Sequence, residues 1–242
     1  MDRYPLLDEI RGFAVLCMIF YHAFYLFSDV FSSQISNKLV NFFMPAEPFF
    51  AAAFVFISGI CTRFSHRPIK RGIMLCFVAG VISLVTFFLD KFAFDCLIVF
   101  GIIHLLALSW LLFALFKRLI EKQNPKVFFI IFFVLFLIFY NTENGYLGFS
   151  SFAYYLPKNF YSHNYFSIFG FVNSKFFSAD YFPILPWSFI FFSGVFFGRC
   201  FKTAPKLIKK SMFSPLGFMG RNAIWFYLLH QPLLFVLGEI IF

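Results

Sequence analysis

Charge is what this sequence has least of. Only 13% of its 242 residues are charged, against 61% hydrophobic and 25% aromatic, and its mean hydropathy is +0.83. A soluble domain of this length needs no such excess of apolar side chains. The apolar runs recur along the whole chain at or near bilayer-spanning length, which points to a multi-pass membrane protein. Acid is scarcer than base, 11 residues against 20, for a net charge of +9. In a soluble protein that balance would suggest nucleic acid; here it belongs to membrane topology. The five cysteines (Cys17, Cys61, Cys76, Cys96 and Cys200) are odd in number, form no CxxC pair and lie mostly in apolar segments. They argue against a disulfide frame or a zinc site. The sequence also has no Gly-rich phosphate loop ahead of a helix, no HExxH and no nucleophile-elbow serine. No inverted repeat relates its two halves, which speaks against a secondary transporter.

What is there begins with Leu6 to Phe27, long enough to cross a hydrocarbon core of about 30 Å at roughly 1.5 Å per residue. Acidic residues near its start, its length and the lack of a small-residue cleavage site distinguish it from a cleaved signal peptide. It carries Asp8, Glu9, Arg11 and His22. Eleven residues make about three helical turns, so Arg11 and His22 share a face, roughly 16 Å apart along the axis. Asp8 lies three residues before Arg11, where a carboxylate–guanidinium pair can form. A charge near a span's centre costs about 2.5–3.5 kcal/mol on insertion scales, so this stripe should face protein or a wet cavity rather than lipid.

The expected fold is an all-α, multi-pass membrane bundle forming a single domain over residues 1–242. Seven spans are expected, near 6–27, 47–62, 72–89, 96–116, 126–140, 183–200 and 222–241. All of the 20 basic residues except Lys38, Lys91, Lys158 and Lys175 fall on one side of that arrangement. The positive-inside rule then sets the N-terminus inside and the C-terminus outside, in a cell membrane (inner or plasma). The longest outer connection, 141–182, is rich in aromatics and neither charged nor of low complexity, which is wrong for a disordered linker. It suits either an aromatic belt at the headgroups or a cap that stacks a sugar on tyrosines. Within it, Phe166 to Phe177 is apolar but too short to span, as a re-entrant or interfacial segment would be. Gly194 and Gly198 form a small-xxx-small pair for close helix approach, and a homodimer is compatible with the sequence.

Four polar positions are candidates for chemistry. His22 lies toward the outer end of the first span, and His104 about eight residues into the fourth, roughly 12 Å deep. His230 lies mid-way along the seventh, followed by Gln231 and Pro232, with Tyr227 one turn earlier. Asp180 opens Asp-Tyr-Phe-Pro-Ile-Leu-Pro-Trp at the outer mouth of the sixth. A carboxylate facing a histidine is an ordinary way to orient a general base. Each position also has a plain structural reading, as an interfacial or hydrogen-bonded packing residue. The histidines lack the carboxylate spacing of a metal site, so no metal is expected. The economical reading is histidine acid–base catalysis inside a bundle, with cations on the inner side to hold an anionic donor.

At this point the residues carry a resemblance. Leu7-Asp8-Glu9-Ile10-Arg11-Gly12-Phe13-Ala14, with Met18 and His22 following, resembles the opening of the heparan-alpha-glucosaminide N-acetyltransferase catalytic-domain family. The Arg-x10-His spacing is also similar to the acyltransferase type 3 signature. Phe100 to Leu106, Asp180 to Trp187 with Gly194, Gly198 and Arg199, and Gly220 to Pro232 resemble later motifs, in order. The resemblance implies transfer of an acyl group, typically acetyl, from acetyl-CoA or another acyl-CoA in the cytoplasm. The acceptor would be a hydroxyl or amine on an extracytoplasmic glycan or related molecule. It implies His22 as general base or transient acyl carrier, with Asp180 and His104 as further catalytic candidates. Arg11, Arg221 and His230 would serve the donor. The competing reading is a non-enzymatic small-solute transporter or membrane assembly partner, whose mark would be discontinuous spans meeting at the midplane.

Overall fold

The structure, a computed structural model, describes residues 4–92, 96–149, 152–201 and 206–242. Arg3 and Lys202, both counted in the charge asymmetry, lie outside them. Nine helices are described: α1 (Pro5–Asp29), α2 (Gln34–Phe43), α3 (Glu47–Cys61), α4 (Pro68–Asp90), α5 (Ile102–Lys122), α6 (Pro125–Phe139), α7 (Ile184–Arg199), α8 (Ser214–Arg221) and α9 (Ala223–Ile241). The described strands are two short ones, β1 (Tyr146–Leu147) and β2 (Tyr154–Tyr155). Six helical stretches are long and apolar enough to cross a membrane, and α7 is a shorter apolar helix of 16 residues. The fold is an all-α multi-pass bundle.

Proline and asparagine set the helix starts. Pro5, Pro68 and Pro125 occupy first-turn positions, where a missing N–H costs nothing. Asn124 caps α6 by accepting from the backbone N–H groups of Lys126 and Val127. The span expected at 47–62 is the end of a longer helical stretch, Gln34–Phe64, which begins with α2. Ser33 caps that helix by accepting from Ser36 N. The span expected at 96–116 is displaced: α5 runs from Ile102 to Lys122, and residues 96–100 are not helical. His104 therefore stands in the first turn of α5 and not about 12 Å along a helix. Phe166 to Phe177 contains no α-helix; the 3-10 turn Asn164–Phe169 ends there at Gly170, whose φ is +95°.

The chain divides into two compact units. One comprises Met1–Ile57 and Phe201–Phe242. Here α1 packs on α2, α8 and α9. At the crossing of α1 and α8, a side chain on Gly12 would collide with the backbone of Leu216 and Gly220, and one on Gly220 with the Asp8 carbonyl. Only glycine lets these backbones approach so closely.

The other unit is Ser58–Cys200. There α4 packs on α5, α6 on α7, and α5 on α7. Ten residues of α7 are buried, Phe191, Val195 and Phe196 almost completely. Gly59 meets the backbone of Phe191 and Val195, and Gly198 meets Ile60, so α3 and α7 cross closely. Arginines close the C-terminal ends of helices in this unit. Arg63 donates to the Gly198 carbonyl, and Arg199 to those of Ile120 and Glu121. The 141–182 connection is anchored by hydrogen bonds, with the Tyr161 hydroxyl donating to Thr142 O and the Tyr181 hydroxyl to Ser167 O. Burial, then the nearby Glu143 and Tyr161, pushes the Tyr181 phenol above its ordinary pKa, so it stays a donor.

Candidate active site

The candidate residues gather in two places, one in each unit. In the Ser58–Cys200 unit the chain around 97–100 runs beside 179–182. Ala179 N donates to Leu97 O and Phe182 N to Phe100 O, with a parallel bridge between Phe100 and Tyr181. That pairing delivers Asp180 to the start of α5, where its Oδ2 accepts from Ile102 N at 3.0 Å. A side chain on Gly101 would collide with the same carboxylate. A carboxylate at a helix N-terminus satisfies an orphan N–H and meets the positive end of the dipole.

His104 closes the same turn. Its Nδ1 accepts from Gly101 N at 3.2 Å, and its Nε2 lies 3.0 Å from the Ser83 hydroxyl. A neutral ring that accepts at Nδ1 carries its proton on Nε2, which then donates to Ser83 Oγ. Ser83 passes the chain on, donating to Ile98 O at 2.7 Å. Both ring nitrogens of His104 are thus engaged in holding the entrance to α5. Sequence reasoning missed Ser83, a lone hydroxyl in an apolar run with no local signal.

In the other unit, α1 presents its polar stripe to the last two helices. Arg11 Nη1 donates to Asp8 Oδ1 and to Gly220 O, both at 3.1 Å, so the expected Asp8–Arg11 pair forms and also ties α1 to α8. Glu9 is buried and accepts from the Ser211 hydroxyl and from Met212 N, which fixes the chain entering α8. Glu9 was visible as a carboxylate in a span, but its partners, some 200 residues away, were not. Arg221, in the last turn of α8, is exposed and lies over Gly217 beside Glu9.

Farther along α1, His22 meets His230 of α9. The two ring centroids are 5.1 Å apart, with the planes inclined at 47°. His230 is 6% exposed, and its Nδ1 lies 2.7 Å from the Tyr227 carbonyl. A carbonyl only accepts, so Nδ1 carries the proton and Nε2 of the neutral ring presents a lone pair. That buried Nε2 has no hydrogen-bond partner among the described residues. A buried polar atom without a partner costs stability unless something else uses it. Tyr21 borders His22, and Tyr227 borders His230. The helices carrying the two histidines are continuous, α9 running on through Pro232.

The two histidine environments are therefore opposite in kind. His104 has its proton on Nε2 and both nitrogens occupied by scaffold; His230 has its proton on Nδ1 and an Nε2 lone pair that no described residue uses, in a ring packed beside His22. Arg11, about three turns back along the same helix face, supplies the cationic end of the stripe.

No curated protein and no solved structure matches the chain. The profile of the family described as "Heparan-alpha-glucosaminide N-acetyltransferase, catalytic" matches residues 3–232, nearly the whole length. The chain belongs to the heparan-alpha-glucosaminide N-acetyltransferase catalytic family, and at the level of that family it is a multi-pass membrane acyltransferase.

Proposed function

We propose that this protein moves an acyl group, acetyl in the simplest case, from acyl-CoA to a hydroxyl or amine of an extracytoplasmic glycan or related acceptor. The observation that carries the site assignment is the His22–His230 pair, with its partnerless Nε2. In this reading His22 is the general base. It takes the proton of the acceptor O–H or N–H as that atom attacks the thioester carbonyl. The new ester or amide bond forms, the carbon–sulfur bond breaks, and the CoA thiolate leaves and takes up a proton. A positioned histidine base contributes about 10²–10⁴-fold to such a step. The neighbouring His230 ring, with its unused Nε2 lone pair, stands beside the charge that develops on His22 in this reading.

The other candidates divide by what they touch. Arg221 and Arg11 are the proposed cations for the donor's phosphates, Arg221 by its exposure and Arg11 as the link from α1 to α8. His104 and Asp180 are proposed as positioning residues, because their polar atoms hold the start of α5 and the end of the long connection. The chain acts as a single domain in a cell membrane, with the donor on the N-terminal side. Unbroken helices at His22 and His230 support an enzyme over a transporter, for which discontinuous spans at the site are the mark.

The direct test is acyl-CoA binding and acyl transfer by purified protein in detergent. His22→Ala is expected to abolish transfer while membrane insertion and acyl-CoA binding persist; a fully active His22→Ala protein would sink the assignment. Arg221→Gln is expected to weaken acyl-CoA binding, and unchanged affinity would return that residue to topology alone. Absence of acyl-CoA binding by folded wild-type protein would overturn the donor.

A further inference from the structure

Within the Ser58–Cys200 unit, and separate from His104, α4 and α5 run antiparallel, with Gly72 packed against Leu111, and they line a surface cavity of about 560 Å³. Arg67, Lys70 and Lys117 stand around its mouth, and Ile69, Ile73 and Ala114 form its apolar wall. The order along the helices is informative. Arg67 immediately precedes α4 and Lys70 lies in its first turn, whereas Ile73 is one turn farther in. On α5, which ends at Lys122, Ala114 likewise sits one turn farther from the end than Lys117. Cations thus ring the mouth and apolar side chains continue inward.

The wall is not covered by protein: Ile69 is 58% and Ile73 59% exposed. At the mouth, Glu121 is the neighbouring carboxylate, 3.8 Å from the Lys117 ammonium. Both partners are about half exposed, and a pair of that kind is too weak to hold Lys117 away from a better anion. Helix α4 has no side-chain cap at its start, so its first-turn N–H groups face the same mouth. A soluble anion would use the cations and leave the wall bare. A neutral amphiphile would use the wall and leave the cations unanswered.

We propose that this cavity is a binding site for an anionic glycerophospholipid. Its phosphodiester is held by Arg67, Lys70 and Lys117, and one acyl chain lies along Ile69, Ile73 and Ala114. Basic pockets between spans on the cytoplasmic side are suited to such headgroups. The proposal does not depend on the acyl-transfer reading.

The test is native mass spectrometry of the purified full-length protein with equimolar phosphatidylglycerol and phosphatidylcholine of matched chains. Wild type is expected to retain phosphatidylglycerol about tenfold over phosphatidylcholine. The double variant Lys70→Gln/Lys117→Gln is expected to fall to near parity. Ile73→Trp, which fills the wall and leaves every cation in place, is expected to reduce retention of both lipids. These positions are exposed, and an unchanged thermal midpoint verifies that each variant is folded. Equal retention by wild type, a preference that survives the double variant, or undiminished binding by Ile73→Trp would each overturn the proposal. So would displacement of the lipid by glycerol 3-phosphate or free CoA at equal concentration, which would make this a soluble-anion site.

Discussion

Two histidines in this chain lie in membrane helices under different constraints, and the difference can be measured. His104 accepts from Gly101 N and faces Ser83 Oγ, so removing its ring leaves the buried Gly101 N–H without that acceptor and Ser83 with only its bond to Ile98 O. An orphaned buried N–H costs about 1–3 kcal/mol. His104→Ala is therefore expected to lower the thermal midpoint in detergent, with any activity loss following the folded fraction. His230→Gln removes a lone pair that no described residue uses. Its expected effect is at least about a tenfold fall in acyl transfer with little change in midpoint, at the low end of what a histidine contributes. A steady-state rate and a melting curve on both variants check the contrast. Equal stability losses with unchanged specific activity would return His230 to packing. Neither role was legible from the sequence: His22, His104 and His230 were each visible as a histidine in an apolar run, but tautomer depends on partners contributed by remote carbonyls and hydroxyls.

At the scale of elements, hydropathy located the spans but misplaced some ends. The expected fourth span started at Cys96 because 96–100 reads Cys-Leu-Ile-Val-Phe, as apolar as any helix. That stretch is instead held by pairing with 179–182, a partner about 80 residues away that no local window contains. Helix α2 was overlooked because its polar positions break the apolar run, although Ser33 offered a cap. The meeting of α1 and α8 was half legible. Arg11-Gly12 and Gly220-Arg221 stood out as motifs, but only the fold shows the two glycines placed against each other's backbone. This crossing gives a stability prediction with an internal control. A methyl on Gly220 meets backbone atoms that cannot rotate away, so Gly220→Ala should destabilise by about 1–3 kcal/mol or prevent folding. On α4, a methyl at Gly80 meets nothing within 4 Å. Gly80→Ala should then stabilise, by up to about 1 kcal/mol, because alanine is the better helix former. Thermal unfolding of both variants in one detergent decides it; matching effects would remove the crossing as a special contact.

For the molecule as a whole, the open question of topology turns on α7. Its regular part, residues 186–199 beyond the non-helical Leu185, rises about 21 Å, less than the roughly 30 Å of a hydrocarbon core. A lipid-facing helix of that length would mismatch the bilayer. Helix α7 is not chiefly lipid-facing: ten of its residues are buried, and it packs against α5 and α6. A span lined by protein can be short, since its neighbours cover its backbone ends, and Arg63 does so at the Gly198 carbonyl. We therefore expect α7 to cross. Parity makes this testable without a membrane structure. Seven crossings would place the termini on opposite sides, and by the positive-inside rule the basic residues flanking α4 and α5 argue for an inner N-terminus. If α7 stopped short, six crossings would bring both termini to the same side. Small tags at each terminus, probed by protease or impermeant label in intact and opened cells, distinguish the two. An N-terminal tag protected in intact cells and a C-terminal tag exposed is the expected result. Two protected tags would mean that α7 does not cross. It would also move the segment between α7 and α9, with Arg221, to the opposite face from the one that the seven-span topology assigns to it.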